Sequence, residues 1–214
     1  MHIDAVIFDA DGTLVDSEET SLDVLREHAQ AAGVAFAPGE DLLHLRGRPM
    51  RENIVRLGER LGRPLPADFE TTLRAAMALR FRAGVPAMPG ALEVLRQLRV
   101  PFCVATNGPR AKVELTLEVS GLLPHLQGRI FSAYEVGSFK PEPGLFLAAA
   151  AALGVEPARC AVVEDSLPGM EAGLRAGMQV YAVPSRELAP ALLDARVRPI
   201  ASLAALLDEP WHRA

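Results

Sequence analysis

Asp9 and Asp11 stand two residues apart in the stretch FDADGTLVDSE, directly after an apolar run and directly before Gly12 and Thr13. Two carboxylates this close repel, and the end of an apolar strand is a costly place for either. A shared proton or a cation makes such a pair tolerable. Three further stretches carry groups suited to the same chemistry. Thr106, Asn107 and Gly108 follow PFCVA, Lys140 lies in SFKPEPG, and Glu164, Asp165 and Ser166 follow CAVV. An all-oxygen, carboxylate-rich set suits Mg²⁺, which keeps several waters and also binds substrate phosphate. Lys140 supplies positive charge that can offset the carboxylates and hold a phosphoryl oxygen. Thr106, Asn107 and the amides near Gly12 and Gly108 can donate hydrogen bonds to that phosphate.

Taken singly, most of these groups have a plain structural explanation. Asp-x-Asp is common in turns, Thr-Asn-Gly-Pro opens helices, and Glu-Asp-Ser caps them. Their joint placement requires more. The run DAVIF at 4–8 reads as a buried parallel strand, as do PFCVAT, a shorter GRIFSA, RCAVVED and QVYAVP. Helical spacing separates them, as in ALEVLRQL, residues 109–120, PGLFLAAAAALG and LPGMEAGLRAG, with two helical pieces near 187–194 and 202–207. Alternation of strands and helices predicts a doubly wound parallel α/β sheet. Ligands bind such sheets beyond the carboxyl ends of the strands, where each candidate group stands.

One stretch breaks the alternation. Residues 17–32 have a helical face of Leu22, Leu25, Ala29 and Ala32, and helix-like pieces follow around 39–46, 50–61 and 67–82. No convincing strand occurs before VPAMPG at 85–90. The chain therefore divides into a Rossmann-like core, 1–16 and 87–214, and a helical cap, 17–86, inserted after the first strand.

Bulk properties narrow the partners. The chain has 214 residues, half of them apolar and 23% charged, with a net charge of −5 and no basic stripe. That argues against nucleic acid as a partner and for a small ligand held by local charge. No apolar run reaches the length of a membrane span. The N-terminus lacks a secretory pattern, so a cytoplasmic location is expected. Cys103 and Cys160, both in apolar runs, read as reduced core thiols. A monomer is the default.

The motifs resemble those of the haloacid dehalogenase-like (HAD) hydrolase superfamily. FDADGTLVDSE is similar to its first motif, Thr106 to its second, Lys140-Pro141 to its third and Glu164-Asp165 to its fourth, across essentially the whole chain. The resemblance implies a phosphatase that passes through an aspartyl-phosphate on Asp9, with Asp11 as general acid and then base. It implies Mg²⁺ held by Asp9, the Asp11 carbonyl and Asp165, with Glu164 ligating directly or through water. Thr106 and Lys140 would stabilise the transferring phosphoryl group, and Asn107 would help to position it. The same motifs separate branches. Asp11 is absent from the dehalogenases. A cap lysine marks phosphonate-cleaving relatives, but the first lysine here is Lys112. The β-phosphoglucomutase branch carries a histidine where this chain has Ser21. PFCVATNGPRAKVELTL and RIFSAYEVGSFKPEPGLFLAAA resemble the bacterial 6-phosphogluconate phosphatase group.

The expected function is Mg²⁺-dependent hydrolysis of a small phosphorylated metabolite, a sugar or sugar-acid phosphate. A phosphomutase and a catalytically silent binding protein are the rivals. Within the cap, HLRGRPMREN places Arg46 and Arg48 on a Gly-containing loop, where they could contact the distal part of the substrate. The alternative is a set of solvated arginines on a helical hairpin, since the cap is Arg-rich throughout.

Overall fold

The structure, a computed structural model, describes residues 2–45, 48–185 and 195–212. Six parallel strands form one sheet. They are β1 (Ala5–Phe8), β2 (Phe102–Thr106), β3 (Ile130–Ser132), β4 (Cys160–Glu164), β5 (Gln179–Ala182) and β6 (Val197–Pro199), in the spatial order β3-β2-β1-β4-β5-β6. β1 lies at the centre, with Ile7 opposite Cys103 on one side and Val162 on the other. The order reverses at β1, and this is where a doubly wound sheet opens a crevice.

Side-chain alternation along the strands divides the core in two. Val6, Phe8, Val104 and Val163 enter one apolar cluster, and Ala5, Ile7, Ala105 and Val162 enter the other. Strands buried on both faces explain the continuous apolar runs AVIF, FCVAT and CAVVE. Each fully buried side chain such as Phe8 or Ile7 contributes about 1.5–3 kcal/mol.

Between β1 and β2 stand α1 (Glu18–Ala31), α2 (Met50–Leu61), α3 (Phe69–Arg82) and α4 (Ala91–Gln97). The apolar stripe of α1 buries Val24, Leu25 and Ala29, and α3 buries Phe69, Leu73, Met77 and Phe81. Two chain segments join α1–α3 to the sheet, and they bond to each other. The Asp16 amide donates to the Pro86 carbonyl at 3.0 Å, and Met88 to Leu14 at 2.8 Å. After β2 come α5 (Arg110–Val119), α6 (Ala133–Val136), α7 (Gly144–Leu153) and α8 (Leu167–Arg175).

Several expectations need correction. The piece around 39–46 is a single 3₁₀ turn, Leu43–Leu45, in its described part. Pro38 and Gly39, the latter at φ +73°, form a turn there instead of a helix start. The piece near 202–207 is also 3₁₀, over Leu203–Asp208. The expected helix near 187–194 lies outside the described residues. β6 and α6 were not anticipated. Three residues, Val-Arg-Pro, carry no periodicity, and β6 exists because β5 pairs with it at Val180 and Val197. No helix among the described residues is long and apolar enough to cross a membrane.

Candidate active site

The ends of β1, β2 and β4, with the loop after β3, converge as the motifs require. Asp9 follows β1 and is buried, and its amide bonds to the Val163 carbonyl at 2.9 Å. The Lys140 ammonium, 3% exposed, donates to Asp9 Oδ1 and, at 2.6 Å, to Glu164 Oε1. It also lies 4.9 Å from the centre of the buried Phe146 ring. Glu164 is the hub of the arrangement. Its second oxygen accepts from the amides of Asp165 and Ser166, both at 3.0 Å, and from the Ser166 hydroxyl at 2.9 Å. Asp165 and Ser166 immediately precede α8, whose N-terminus favours the negative charge. A Cβ at Gly169 would lie 1.8 Å from Glu164 Oε1, so only glycine leaves room for this carboxylate.

The turn after β1 is equally tight. Gly12 has φ +80°, and a Cβ there would lie 2.2 Å from Asp165 Oδ2. Asp165, 3% exposed, accepts from the Thr13 hydroxyl at 3.3 Å. Asp9, Glu164 and Asp165 each place one oxygen within 4.8 Å of the others.

Charge in this cluster is unbalanced. The carboxylates of Asp9, Asp11, Glu164 and Asp165 outnumber the ammonium groups of Lys140 and Lys112 paired with them. Burial pushes the Asp9 carboxyl up to about 7; Lys140 opposes that shift, while Glu164 and Asp11 add to it. Burial works against the Lys140 charge, yet Asp9 and Glu164 hold its ammonium above the ordinary lysine value. Surplus negative charge on three close, buried, oxygen-only groups fits a hard divalent cation.

The structure places the other expected residues as follows. Thr106, 1% exposed, accepts from the Gly108 amide at 3.0 Å. Asn107 bonds to the main chain of Lys140 in both directions, accepting from its amide at 2.9 Å and donating to its carbonyl at 3.3 Å. This contact fixes the loop that delivers Lys140. Arg48 lines the cavity but is exposed, bonding to the His44 carbonyl at 3.1 Å and facing Glu52 at 3.4 Å. Arg46 lies outside the described residues.

Three residues escaped sequence reasoning. Lys112, in the first turn of α5, stands 2.6 Å from Asp11 Oδ2. The Ser17 hydroxyl bonds to Asp11 Oδ1. Burial would raise the Asp11 carboxyl, but Lys112 and Ser17 together hold it below its ordinary value. The signal for Ser17 was its place in FDADGTLVDSE, and for Lys112 its place one turn after Thr106-Asn107-Gly108. Tyr134, in FSAY, accepts from Arg74 of α3 at 2.8 Å and so links that helix to the rim of the sheet. Asp9, Asp11, Thr106, Lys112, Lys140 and Asp165 line one cavity of about 670 Å³ between the strand ends and α1–α3.

Comparison with known proteins identifies the family. The model of the haloacid dehalogenase-like hydrolase family matches residues 3–177. A 6-phosphogluconate phosphatase of Escherichia coli (strain K12) is 33% identical over 181 residues, spanning 84% of this chain and 82% of that protein. The crystal structure of a HAD family hydrolase from Deinococcus radiodurans R1, with bound phosphate and sodium, is 33% identical. It covers 95% of this chain and 93% of its own, with a TM-score of 0.73. A putative β-phosphoglucomutase from Thermotoga maritima is 28% identical over 96% of this chain and 97% of that one, with a TM-score of 0.73. The motif resemblance and the fold it implied are thus confirmed: the chain is an enzyme and belongs to the haloacid dehalogenase-like hydrolase family.

Proposed function

We propose that this hydrolase is a Mg²⁺-dependent phosphatase of small sugar or sugar-acid phosphates, 6-phosphogluconate among them, acting through an aspartyl-phosphate on Asp9. One observation carries the reading. A buried Asp9, gripped by Lys140 beside Glu164 and Asp165, opens to a cavity large enough for a small metabolite. The similarity to a sugar-acid phosphatase supports the substrate class.

Two steps follow. An Asp9 oxygen bonds to phosphorus as the bond to the leaving alcohol breaks, and the protonated form of Asp11 gives that alcohol its proton. A water oxygen then bonds to phosphorus, the Asp9 ester breaks, and Asp11 takes a proton from that water. Lys140 and the groups around Thr106 hold the phosphoryl oxygens while charge redistributes. Asp9, Asp165 and the Asp11 carbonyl would hold Mg²⁺, with Glu164 ligating directly or through water. Bound there, the ion neutralises carboxylates and phosphoryl oxygens as a Lewis acid.

Residues 17–86 act as the cap in this reading. The paired segments at Leu14–Asp16 and Pro86–Met88 are its hinge, and Arg48, on the cavity wall, serves the distal part of the substrate. The mutase reading is disfavoured at Ser21, whose hydroxyl is turned back to the Ser17 carbonyl at 2.7 Å. The test is phosphate release from a panel including 6-phosphogluconate and β-glucose 1-phosphate, with and without EDTA. Metal-dependent release that Asp9→Asn abolishes is expected. Isomerised phosphosugar without free phosphate would make the enzyme a mutase.

A further inference from the structure

Lys112 differs from Lys140 in what its charge does. Lys140 is sealed between two carboxylates, whereas the Lys112 side chain is 22% exposed along the cavity wall and, among the described residues, is ion-paired with Asp11. Asp11 is held at both oxygens, Oδ1 by Ser17 and Oδ2 by Lys112. A carboxyl gripped at both ends cannot turn freely about its Cβ–Cγ bond. The Lys112 ammonium also lies 5.7 Å from the centre of the Phe81 ring, which is fully buried in the last turn of α3. One side chain therefore touches both the Asp11 carboxylate and the inserted helices.

We propose that Lys112 is a positioning residue: it sets the rotation of the Asp11 carboxyl so that this group meets the leaving-group oxygen, and its contact with Phe81 ties that orientation to the seating of the inserted helices. This rests on the phosphatase reading, in which Asp11 serves the leaving alcohol. No functional role follows for Lys112 from the family motifs, because none of them includes position 112. The role follows from the two contacts of one ammonium.

Leaving groups provide the test. An alkyl ester needs a proton at the departing oxygen; a p-nitrophenyl ester does not. In Lys112→Met, kcat/KM is expected to fall about tenfold or more for the better of 6-phosphogluconate and β-glucose 1-phosphate. The same variant should lose less than about threefold on p-nitrophenyl phosphate, because general-acid help contributes little there. In an Asp11→Asn background, Lys112→Met should cause no further loss on the alkyl ester. Equal losses on both esters, or a multiplicative loss in the double variant, would overturn the proposal and leave the phosphatase reading intact. If the wild type turns over neither ester, the phosphatase reading fails and takes this one with it.

Discussion

Two polar clusters pack against one sheet, and they are built on opposite terms. Beside β5 and β6, Glu209 accepts from Tyr181 at 3.1 Å and from Arg198 at 2.7 Å, while Trp211 donates to the Tyr181 hydroxyl at 2.9 Å. Among these contacts one carboxylate meets one guanidinium, and the rings of Tyr181 and Trp211 pack edge-on at 6.2 Å. This cluster staples the tail of the described chain to the sheet. Beside β1 and β4, carboxylates outnumber the ammonium groups and the cluster opens to a cavity. A carboxylate is thus matched in one cluster and part of a surplus beside space for a ligand in the other, and the surplus is the arrangement expected of a reactive site.

The contrast can be broken most severely at Asp9. On the phosphatase reading Asp9 is the nucleophile, so Asp9→Asn should lower phosphate release by about a thousandfold or more. It should leave the urea midpoint unchanged or higher, because Lys140 keeps Glu164 as its partner and the surplus of negative charge falls by one. A folded Asp9→Asn protein with undiminished turnover would dissolve the distinction between the clusters. Lys140→Met comes next. Removing the ammonium leaves Asp9 and Glu164 without their shared counter-charge, with an expected loss of about 3–5 kcal/mol in urea unfolding.

Adding Mg²⁺ sharpens the comparison. At a hundred times its dissociation constant, a ligand of the folded state stabilises by about 2.7 kcal/mol. The thermal midpoint should rise accordingly in the wild type and not in Asp165→Asn. The smallest effect belongs to the balanced cluster. Tyr181→Phe deletes a donor to Glu209 and an acceptor for Trp211, and should cost about 1–2 kcal/mol in urea unfolding with no change in kcat/KM. A comparable loss of turnover there would mean that the tail communicates with the active site.

The site was more legible than its surroundings. Asp9, Thr106, Lys140 and Glu164-Asp165 each sit at or soon after the end of a strand that short apolar runs announce, and the structure brings all of them to one edge. The helices α1, α2 and α3 were readable from their 3.6-residue spacing for the same reason: near neighbours in the chain carry the pattern. β6 was not readable, since its three residues become a strand only against β5.

Side-chain partners divide the same way. Residue types and local order by themselves determined that carboxylates, a lysine and hydrogen-bond donors would gather at strand ends, because alternation and helical periodicity are encoded within a few residues. Only the tertiary structure decided that Asn107 serves the backbone of Lys140, that Ser17 and Lys112 share Asp11, and that Phe81 of α3 lies beside Lys112. Those contacts join residues from separate elements, and their geometry exists only once the sheet and the inserted helices have packed.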